Sequence, residues 1–358
     1  MDRAISLASS SLGSVSPNPA VGAVIVKNGK IIGEGWTQPP GQAHAEVQAL
    51  RQAAGDARGA ILYSTLEPCP HFGRTPPCTQ AIIEAGISEL HTAIHDPNPL
   101  VNGKGVSLLN QAGILTHVGE CEKEASQLIE AYSKFITTAI PFVIAKFATS
   151  LDGKIATHTG ASKWITGADA RAYSHQLRAE NDAIMVGINT VVADDPKLTA
   201  REMNGKLYER QPLRVIIDSK GRVHPSARLW SQPGQTLIVV SNPDESNTQK
   251  LNQIGADVEQ IPHDDGTVDL SELLKVLGRR KITSILVEGG GILLGSLFDQ
   301  GLVDKVVAFI APVIIGGKAA PSPVAGTGVA TMDSVKTLSR VTITPVGQDV
   351  AIIGYCEA

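Results

Sequence analysis

The chain has 358 residues, of which 42% are apolar and 18% are charged, and its formal net charge is −4. This composition excludes disordered and fibrous classes, and the length favours about two domains, each with its own core. The mildly acidic balance provides no general attraction for a polyanion, which disfavours a nucleic-acid partner.

The N-terminal segment MDRAISLASSS is charged from its second residue and lacks the apolar core of a signal peptide. No stretch reaches the ~18 apolar residues that a membrane span needs. We therefore expect a cytoplasmic protein without a membrane partner. Its four cysteines are too scattered for a disulfide framework, so reduced thiols are expected, free to act as ligands.

Alternating strands and helices are predicted for the first half. Residues 21–26 and 30–35 flank the turn pair Asn28-Gly29, which predicts a β-hairpin. The spacing of apolar residues then predicts a helix after the hairpin. Further elements are predicted at 61–66 (strand), 79–85 (helix) and 90–94 (strand). This alternation is typical of a layered α/β sheet.

A domain boundary is predicted near Ile140. Residues 122–138 have the pattern of a closing helix, and Pro141 follows it. The prediction is therefore two domains, 1–140 and 141–358. From Phe142 the pattern of the second restarts with FVIAKFATSLDGK, and elements are predicted at 168–180 (helix), 183–186, 213–218, 236–240 and 282–287 (strands). The acidic stretch at 263–269 is interpreted as a solvated loop.

Two motifs of the first half form a candidate metal site. His44 and Glu46 precede the predicted helix, and a Pro-Pro-Gly break just upstream allows both side chains to converge on one centre. A lone His is more often an ordinary polar residue, but Cys69 and Cys78 lie in the segment LEPCPHFGRTPPC. One His and two Cys supply three ligands and leave a fourth position open, which is typical of catalytic zinc.

The helix that follows Cys78 favours ionised sulfur. Thr75-Pro76-Pro77 predicts an N-cap and then prolines in the first helical turn. The positive end of the helix dipole stabilises a thiolate, which is the form that zinc binds. His71 is a rival ligand, and Cys78 is preferred because it occupies the first turn.

Glu46 is the predicted proton shuttle. Zinc makes water nucleophilic near neutral pH, and the reaction needs a carboxylate that does not bind the metal. The pattern H-x-E followed by P-C-x-x-C is typical of zinc nucleobase deaminases, and here eight residues separate the cysteines. The longer loop costs little entropy and brings Arg74 beside the site, as a phosphorylated substrate would need. A purely structural zinc is the alternative.

Eight segments of the chain form a recognisable set. The first half contains PNPAVGAVIV, HAEVQAL, LEPCPHFGRTPPC and HDPNPLVNGKG, and the second contains SLDGKIA, SKWITG, VVADDPKLT and VEGGG. In this order, and over nearly the whole chain, they resemble the bifunctional deaminase/reductase family of riboflavin biosynthesis. The resemblance implies an N-terminal cytidine-deaminase-like α/β/α sandwich and a C-terminal dihydrofolate-reductase-like α/β domain.

The resemblance also implies the chemistry of the first domain, which is hydrolysis of the ring amino group of a diamino-ribosylamino-pyrimidinone phosphate. The zinc ligands of the family map onto His44, Cys69 and Cys78, and its proton shuttle maps onto Glu46. Family positions that contact base, ribose or phosphate map onto Asn18, Arg74, Asp96 and Asn98. A homo-oligomer, a dimer or tetramer, is implied as well.

The second half has no G-x-G-x-x-G after its first strand, but a glycine triplet lies between a strand and a helix. Backbone amides there would suit a pyrophosphate, although glycines at such turns are common for packing alone. The resemblance implies NADPH as cofactor and hydride transfer to the ribosyl group. The implied NADPH contacts are Ala148, Trp164, Thr190, Asp194, Ser219, Gly289, Gly290 and Gly291. The implied substrate contacts are Ser162, Arg178, Leu198, Arg201 and Glu288.

Several alternatives remain open from the residues. Arg178 and Arg201 suit phosphate because guanidinium offers paired donors, but solvated surface arginines are the default interpretation. Trp164 would fit a core equally well. Glu288 and Lys154 are the candidate proton donors of the reduction. A tRNA or nucleoside deaminase, and a zinc-stabilised binding protein without activity, are the competing functions.

Overall fold

The computed structural model describes residues 1–73 and 75–357. The chain divides into two compact units, Met1–Ile140 and Pro141–Ala358. Among the described residues, no helix is long and apolar enough to span a membrane. Each unit is built on one β-sheet of its own.

The first unit carries a five-stranded sheet in the order β2-β1-β3-β4-β5. Its elements are α1 (Asp2–Ser10), β1 (Gly22–Lys27), β2 (Lys30–Trp36), α2 (Ala45–Ala53), β3 (Ile61–Ser64), α3 (Cys78–Ala85), β4 (Glu89–Thr92), α4 (Lys104–Gln111), β5 (Leu115–Val118), α5 (Glu122–Leu128) and α6 (Glu130–Thr138). Strand β1 is antiparallel to β2 and β3, whereas β3, β4 and β5 are mutually parallel.

Helices cover both faces of this sheet at very short range. A side chain at Gly22 would collide with the backbone of Ala4 in α1, and one at Gly33 would collide with the backbone of Ala49 in α2. Glycine therefore lets each helix lie directly on its strand. Residues Leu62, Leu90 and Ile82 are fully buried in the core of the unit.

The hairpin, the strands and the two helices predicted up to residue 85 of the first unit are confirmed, with three corrections. Helix α3 begins at Cys78 with Pro77 as its N-cap, so the prolines precede the helix and do not occupy its first turn. A residue before proline is driven towards extended backbone, which keeps this segment non-helical. The predicted single helix at 122–138 is two helices, broken at Ile129. Helix α1 was not predicted.

The second unit carries a nine-stranded sheet in the order β10-β9-β8-β7-β11-β6-β12-β14-β13. Its elements are β6 (Phe142–Ser150), α7 (Ala168–Glu180), β7 (Ala183–Gly187), α8 (Ile188–Asp194), β8 (Leu213–Ile217), β9 (Thr236–Val240), α9 (Glu245–Gln253), β10 (Asp257–Gln260), α10 (Leu270–Arg279), β11 (Ser284–Val287), α11 (Gly291–Asp299), β12 (Lys305–Ala311), β13 (Leu338–Val346) and β14 (Asp349–Cys356).

Strands β10 to β12 along this sheet are parallel, and β14 and β13 add an antiparallel edge. The predicted helix at 168–180 has the predicted bounds, and the predicted strands are confirmed within two residues at each end. The antiparallel edge was not predicted. Parallel strands place their carboxyl ends along one border of a sheet, which is where ligands bind in such folds.

Candidate active sites

Three side chains of the first unit converge on one point. His44 is the N-cap of α2, Cys78 is the first residue of α3, and Cys69 lies in the loop after β3. The Nδ1 atom of His44 is 3.6 Å from the sulfur of Cys69 and 3.3 Å from that of Cys78. The Thr75 hydroxyl lies 3.4 Å from Nε2 of the same imidazole, which directs Nδ1 towards the sulfurs.

The pKa values of the two thiols shift in opposite directions. Hydrogen bonding from Cys78, assisted by His44, lowers the pKa of Cys69. The bond to Cys69 and burial raise the pKa of Cys78 well above its ordinary value. The pKa of His44 is raised by its bond to Cys69. A divalent cation at this point would ionise both thiols and bind both sulfurs.

The donor set fits zinc. In a tetrahedral site, bonds of ~2.3 Å to sulfur and ~2.0 Å to nitrogen place the two kinds of ligand atom ~3.6 Å apart. The distances of 3.6 and 3.3 Å match that separation. All three ligand atoms lie within 4.8 Å of one another. His71, the rival ligand, is exposed and lies outside this cluster.

Glu46 lies beside the cluster in the first turn of α2 and is only 4% exposed. Burial raises its pKa to about 7. Its Oε2 atom accepts a hydrogen bond from the Cys78 thiol at 3.5 Å. A carboxylate with a pKa near neutrality can both take up and release a proton under working conditions.

Two of the residues predicted to contact the first substrate, Asp96 and Asn98, lie in the loop after β4. Asp96 is buried, and its Oδ1 atom accepts hydrogen bonds from the Asn98 amide at 2.8 Å and the Tyr132 hydroxyl at 3.0 Å. Asn18 is half-buried in the segment before β1. Arg74 lies outside the described residues.

A cavity of about 1240 Å³ opens in the second unit. It lies at the carboxyl ends of β7, β8 and β11, and it is bordered by the first residues of α8 and α11. The predicted residues that line it are Ser162, Thr190, Asp194, Ser219, Gly290 and Gly291. Its size and its two helix N-termini suit a dinucleotide with a pyrophosphate.

Comparison with known proteins identifies both units. Residues 141–352 match the RibD C-terminal domain, and residues 1–94 match the cytidine and deoxycytidylate deaminase zinc-binding region. The chain is 46% identical to the riboflavin biosynthesis protein RibD of Aquifex aeolicus, over 88% of this chain and 87% of the relative. Its identity to RibD of Escherichia coli is 43%, over 89% and 88% of the two chains.

The chain belongs to the RibD family. Among solved structures, RibD of Acinetobacter baumannii superposes with a TM-score of 0.88 at 37% identity, covering 100% of this chain and 98% of the other. A diaminohydroxyphosphoribosylaminopyrimidine deaminase/5-amino-6-(5-phosphoribosylamino)uracil reductase from Thermotoga maritima reaches 0.86 at 35% identity, with coverages of 100% and 97%. These matches confirm the predicted family, the two-part fold and a bifunctional deaminase/reductase of riboflavin biosynthesis that uses zinc and NADPH.

Not all residues predicted for the RibD reductase line its cavity. Residues Ala148, Trp164, Gly289, Arg178, Leu198, Arg201 and Glu288 are outside its lining. Trp164 is 73% exposed, which removes the alternative of a core residue, and its ring stacks on the Arg171 guanidinium. Arg201 donates to the Thr199 hydroxyl at 2.9 Å, and Leu198 is buried with a φ of 50°.

Arg178 and Glu288 bind each other in this RibD-family chain. Burial by itself would raise the pKa of Glu288, but Arg178 and Lys146 lower it to about 2. Glu288 is therefore ionised at neutral pH and holds no proton to donate. The other candidate donor, Lys154, lies in the turn after β6, where its amide donates to the Ser150 hydroxyl.

Sequence reasoning missed several residues of these sites. Glu67 is buried, and its carboxylate accepts hydrogen bonds from three backbone amides of residues 96–106. Lys146 interrupts an apolar strand, and its burial beside Arg178 and Glu288 lowers its pKa. Lys220 and Arg222 line the large cavity directly after β8. A lysine or arginine inside an apolar strand, or directly after one, could have identified Lys146, Lys220 and Arg222 from the sequence.

The acidic stretch at 263–269 also lines the cavity, although most of it is exposed as predicted. Asp265 and Thr267 are joined by hydrogen bonds within this stretch, and Asp269 caps α10. The stretch is therefore part of the border of the cavity as well as a solvated loop.

Proposed function

We propose that the first unit hydrolyses the ring amino group of 2,5-diamino-6-ribosylamino-4(3H)-pyrimidinone 5′-phosphate and releases ammonia. The second unit then reduces the ribosyl group of 5-amino-6-(5-phosphoribosylamino)uracil to the ribityl form. The observation that carries the proposal is the convergence of His44, Cys69 and Cys78 beside a buried carboxylate that is not part of the cluster. The Thermotoga maritima relative, named as a deaminase and a reductase with these two kinds of substrate, supports placing both steps in one chain.

Glu46 moves the proton in the deamination. Zinc, held by His44, Cys69 and Cys78, supplies the Lewis acidity that makes water nucleophilic near neutral pH. Glu46 takes a proton from the attacking water and delivers it to the departing amino group, a role that suits its pKa of about 7. Its burial keeps this proton away from bulk solvent.

Polar groups around the cluster orient the first substrate. Asp96 is held by the Asn98 amide and the Tyr132 hydroxyl, so its carboxylate has a fixed direction. Asn18 and Asn98 supply side-chain amides for base and ribose, and Arg74 supplies the cation for phosphate. Fixed polar groups place the scissile carbon against the attacking water and lower the entropic part of the barrier.

The cavity of the second unit holds NADPH, which supplies the hydride. Gly290, Gly291 and Thr190 border the pyrophosphate at two helix N-termini. Asp194 and Ser219 line the same cavity, and the further proposed contacts Ala148, Trp164 and Gly289 lie outside its lining. Lys220 and Arg222 add positive charge where a further phosphate group would bind.

Substrate binding in the second unit involves Ser162, Leu198, Arg201 and the Arg178–Glu288 pair. The Nε and Nη2 donors of Arg178 are already bonded to the Glu288 carboxylate. Arg201 is therefore the better placed guanidinium for the substrate phosphate. Lys146 is a better proton donor than Glu288 because it carries protons to donate and burial lowers its pKa, while Glu288 stays ionised.

The partners of the protein are two small pyrimidine ribosyl phosphates, with no nucleic acid and no membrane. The zinc site uses thiols, and the four cysteines are free, which supports a reducing, cytoplasmic location. A homo-oligomer is proposed from the family. Sedimentation showing a 37.6 kDa monomer at working concentration would contradict it.

One coupled assay tests the proposal. The diamino-ribosylamino-pyrimidinone phosphate is supplied with NADPH, and NADPH absorbance and ammonia release are followed together. Both signals are expected from the unaltered protein. Glu46→Gln should abolish ammonia release and NADPH oxidation from this substrate, yet retain NADPH oxidation when the deaminated uracil is supplied.

The control for this assay is Glu124→Gln, which removes an exposed carboxylate of the same unit and should leave both signals unchanged. Ammonia without NADPH oxidation would contradict the reductase assignment. Ammonia from cytidine or tRNA, with none from the pyrimidine phosphate, would support a nucleoside deaminase. Full activity in Glu46→Gln would remove the proposed proton shuttle.

A further inference from the structure

A row of three rings crosses the first sheet on the face that packs against α1. Tyr63, His91 and His117 are direct neighbours on β3, β4 and β5. The Tyr63 and His91 ring centres are 4.8 Å apart at 24°, and those of His91 and His117 are 4.6 Å apart at 28°. The row therefore holds the two imidazoles nearly parallel.

This face is opposite the one that carries the first site. Tyr63 pairs with Val24 across the sheet, and both pack against α1. The neighbouring residue Ala23 pairs with Gly35, whose position is covered by α2, the helix that carries Glu46. Because successive residues of a strand face opposite sides, the ring row and the His44 cluster lie on different faces.

Both imidazoles direct a nitrogen at one carboxylate oxygen. The Oε1 atom of Glu89 is 2.8 Å from Nε2 of His91 and 3.1 Å from Nε2 of His117. On the other side of the His91 ring, Nδ1 is 3.2 Å from Oε2 of Glu120. Glu89 and His91 are partly buried, and the His117 side chain is 48% exposed.

These contacts conflict when His91 is neutral. Ionised carboxylates only accept hydrogen bonds, and a neutral imidazole has one donor nitrogen and one acceptor nitrogen. If Nδ1 of His91 donates to Glu120, its Nε2 lone pair faces the Glu89 oxygen. A cation shared by Glu89, His91 and His117 would be bound by that Nε2 lone pair, while Nδ1 of His91 keeps its contact with Glu120.

We propose that Glu89, His91 and His117 bind a divalent transition-metal ion such as Zn²⁺, Ni²⁺ or Co²⁺, at a second metal site of the first unit. The three ligand atoms lie within 4.8 Å of one another. Bonds of ~2.1 Å place neighbouring ligand atoms ~3.0 Å apart at ~90° and ~3.4 Å apart in a tetrahedral site, so the 2.8 and 3.1 Å found are nearer to the ~90° arrangement. Imidazole with carboxylate is a donor set that these ions accept.

Glu120 completes the arrangement as an outer partner. A histidine that binds a metal usually donates its other ring N–H to a carboxylate, which fixes the tautomer and the ring orientation. The contact between Nδ1 of His91 and Glu120 has this form. The site joins β4 to the edge strand β5, so a bound ion would stabilise this edge of the sheet.

Cobalt titration separates the two metal sites. The protein is freed of metal with a chelator under reducing conditions and titrated with Co²⁺, with binding followed by calorimetry and absorbance. We expect two equivalents per chain, of which only the one bound by Cys69 and Cys78 produces thiolate-to-cobalt charge-transfer absorption. The second equivalent should change only the weak visible bands of cobalt bound by nitrogen and oxygen.

His117→Gln and His91→Gln should each lose the second equivalent, or bind it at least tenfold more weakly, and retain the thiolate band. Both variants should still release ammonia when loaded with zinc, which shows that the unit is folded. The control is His158→Gln, which removes an exposed histidine of the other unit and should keep two equivalents. One equivalent in the unaltered protein, or two unchanged equivalents in both histidine variants, would overturn the proposal.

Discussion

Arg178 and Glu288 lie 110 residues apart in the chain and form a two-pronged ion pair, with Nε–Oε1 and Nη2–Oε2 distances of 2.7 Å. Nη1 of Arg178 donates to the Thr199 carbonyl at 3.1 Å. Both charged side chains are mostly buried, with exposed fractions of 17% and 9%. The Arg178 guanidinium therefore has its hydrogen-bond partners within the protein, and its charge is balanced by that of Glu288.

Glu288→Gln should destabilise the second unit by about 3 kcal/mol, because it leaves the Arg178 charge buried without its counter-ion. Urea unfolding in a Trp36→Phe background measures this directly, since the two remaining tryptophans both lie in the second unit. Glu209→Gln, at an exposed position of the same unit, should cost less than about 0.5 kcal/mol. A similar small cost for Glu288→Gln would contradict a structural ion pair.

The same pair predicts a pH dependence. The pKa of Glu288 falls from an ordinary value of 4.5 to about 2 on folding, so between these values the unfolded chain binds more protons. The stabilisation is complete above about pH 5 and is lost as the pH falls towards 2. The difference in unfolding free energy between the unaltered protein and Glu288→Gln should shrink between pH 6 and pH 3. A constant difference across that range would contradict the lowered pKa.

Cys78→Ser should reduce the thiolate-to-cobalt absorption of the first metal site by about half, because the serine hydroxyl is not ionised near neutral pH and Cys69 remains as the thiolate of the cluster. His71→Ala is the matched test of the rival ligand, and it should keep that absorption unchanged because His71 is exposed and outside the cluster. Cobalt spectra of the two variants, recorded at equal protein concentration, decide between them. The opposite pattern would assign the third ligand to His71.

Glu67→Gln should weaken binding of the first substrate without removing the metal. The carboxylate accepts hydrogen bonds from the backbone amides of Asp96 at 3.2 Å, Gly103 at 2.9 Å and Val106 at 3.0 Å. A side-chain NH₂ facing one of these donors would loosen the loop that carries Asp96 and Asn98. We expect KM to rise roughly 10-fold, since charged hydrogen bonds contribute about 1.5–3 kcal/mol.

Initial-rate ammonia assays test this prediction, with metal content measured on the same samples. Glu84→Gln is the control, because Glu84 is exposed on α3 and its carboxylate accepts a hydrogen bond from the neighbouring Gln80 side chain, away from the loop. An unchanged KM in Glu67→Gln would mean that the loop keeps its shape without this carboxylate.

Two adjacent glycines should respond differently to alanine. A methyl at Gly290 would meet only the Thr190 hydroxyl at 3.7 Å, an ordinary contact, whereas one at Gly291 would lie 2.6 Å from the Ser322 carbonyl oxygen. Gly290→Ala should change the free energy of unfolding by less than about 0.5 kcal/mol. It should raise the KM for NADPH, because the methyl occupies part of the cavity proposed for the cofactor. Gly291→Ala should destabilise the unit by about 1–3 kcal/mol.

NADPH oxidation rates and urea unfolding of both variants test the assignment. An unchanged KM for NADPH in Gly290→Ala would place the pyrophosphate elsewhere in the cavity. Because Gly290 has an extended backbone conformation that alanine also adopts, a large loss of stability there would contradict the contact geometry.

The sequence by itself predicted the chemistry of the first half from its residues and that of the second half through the family resemblance. The order His44, Glu46, Cys69 and Cys78 predicted a metal site with a separate carboxylate, because zinc ligation restricts residue type more strongly than it restricts loop length. The hairpin at Asn28-Gly29 and the helix at 168–180 were predictable for a related reason. Turn chemistry and apolar spacing act between near neighbours in the chain.

Tertiary structure alone decided which distant groups meet. The spacing of residues does not reveal that Glu288 pairs with Arg178, or that Glu67 accepts hydrogen bonds from backbone amides some thirty residues later. Nor does it reveal that Glu89, His91 and His117 lie together. Each of these depends on strand order and register, which bring together residues from separate elements. The electrostatic consequences, including the pKa of Glu46 and of Glu288, follow from burial and neighbours that only the folded chain provides.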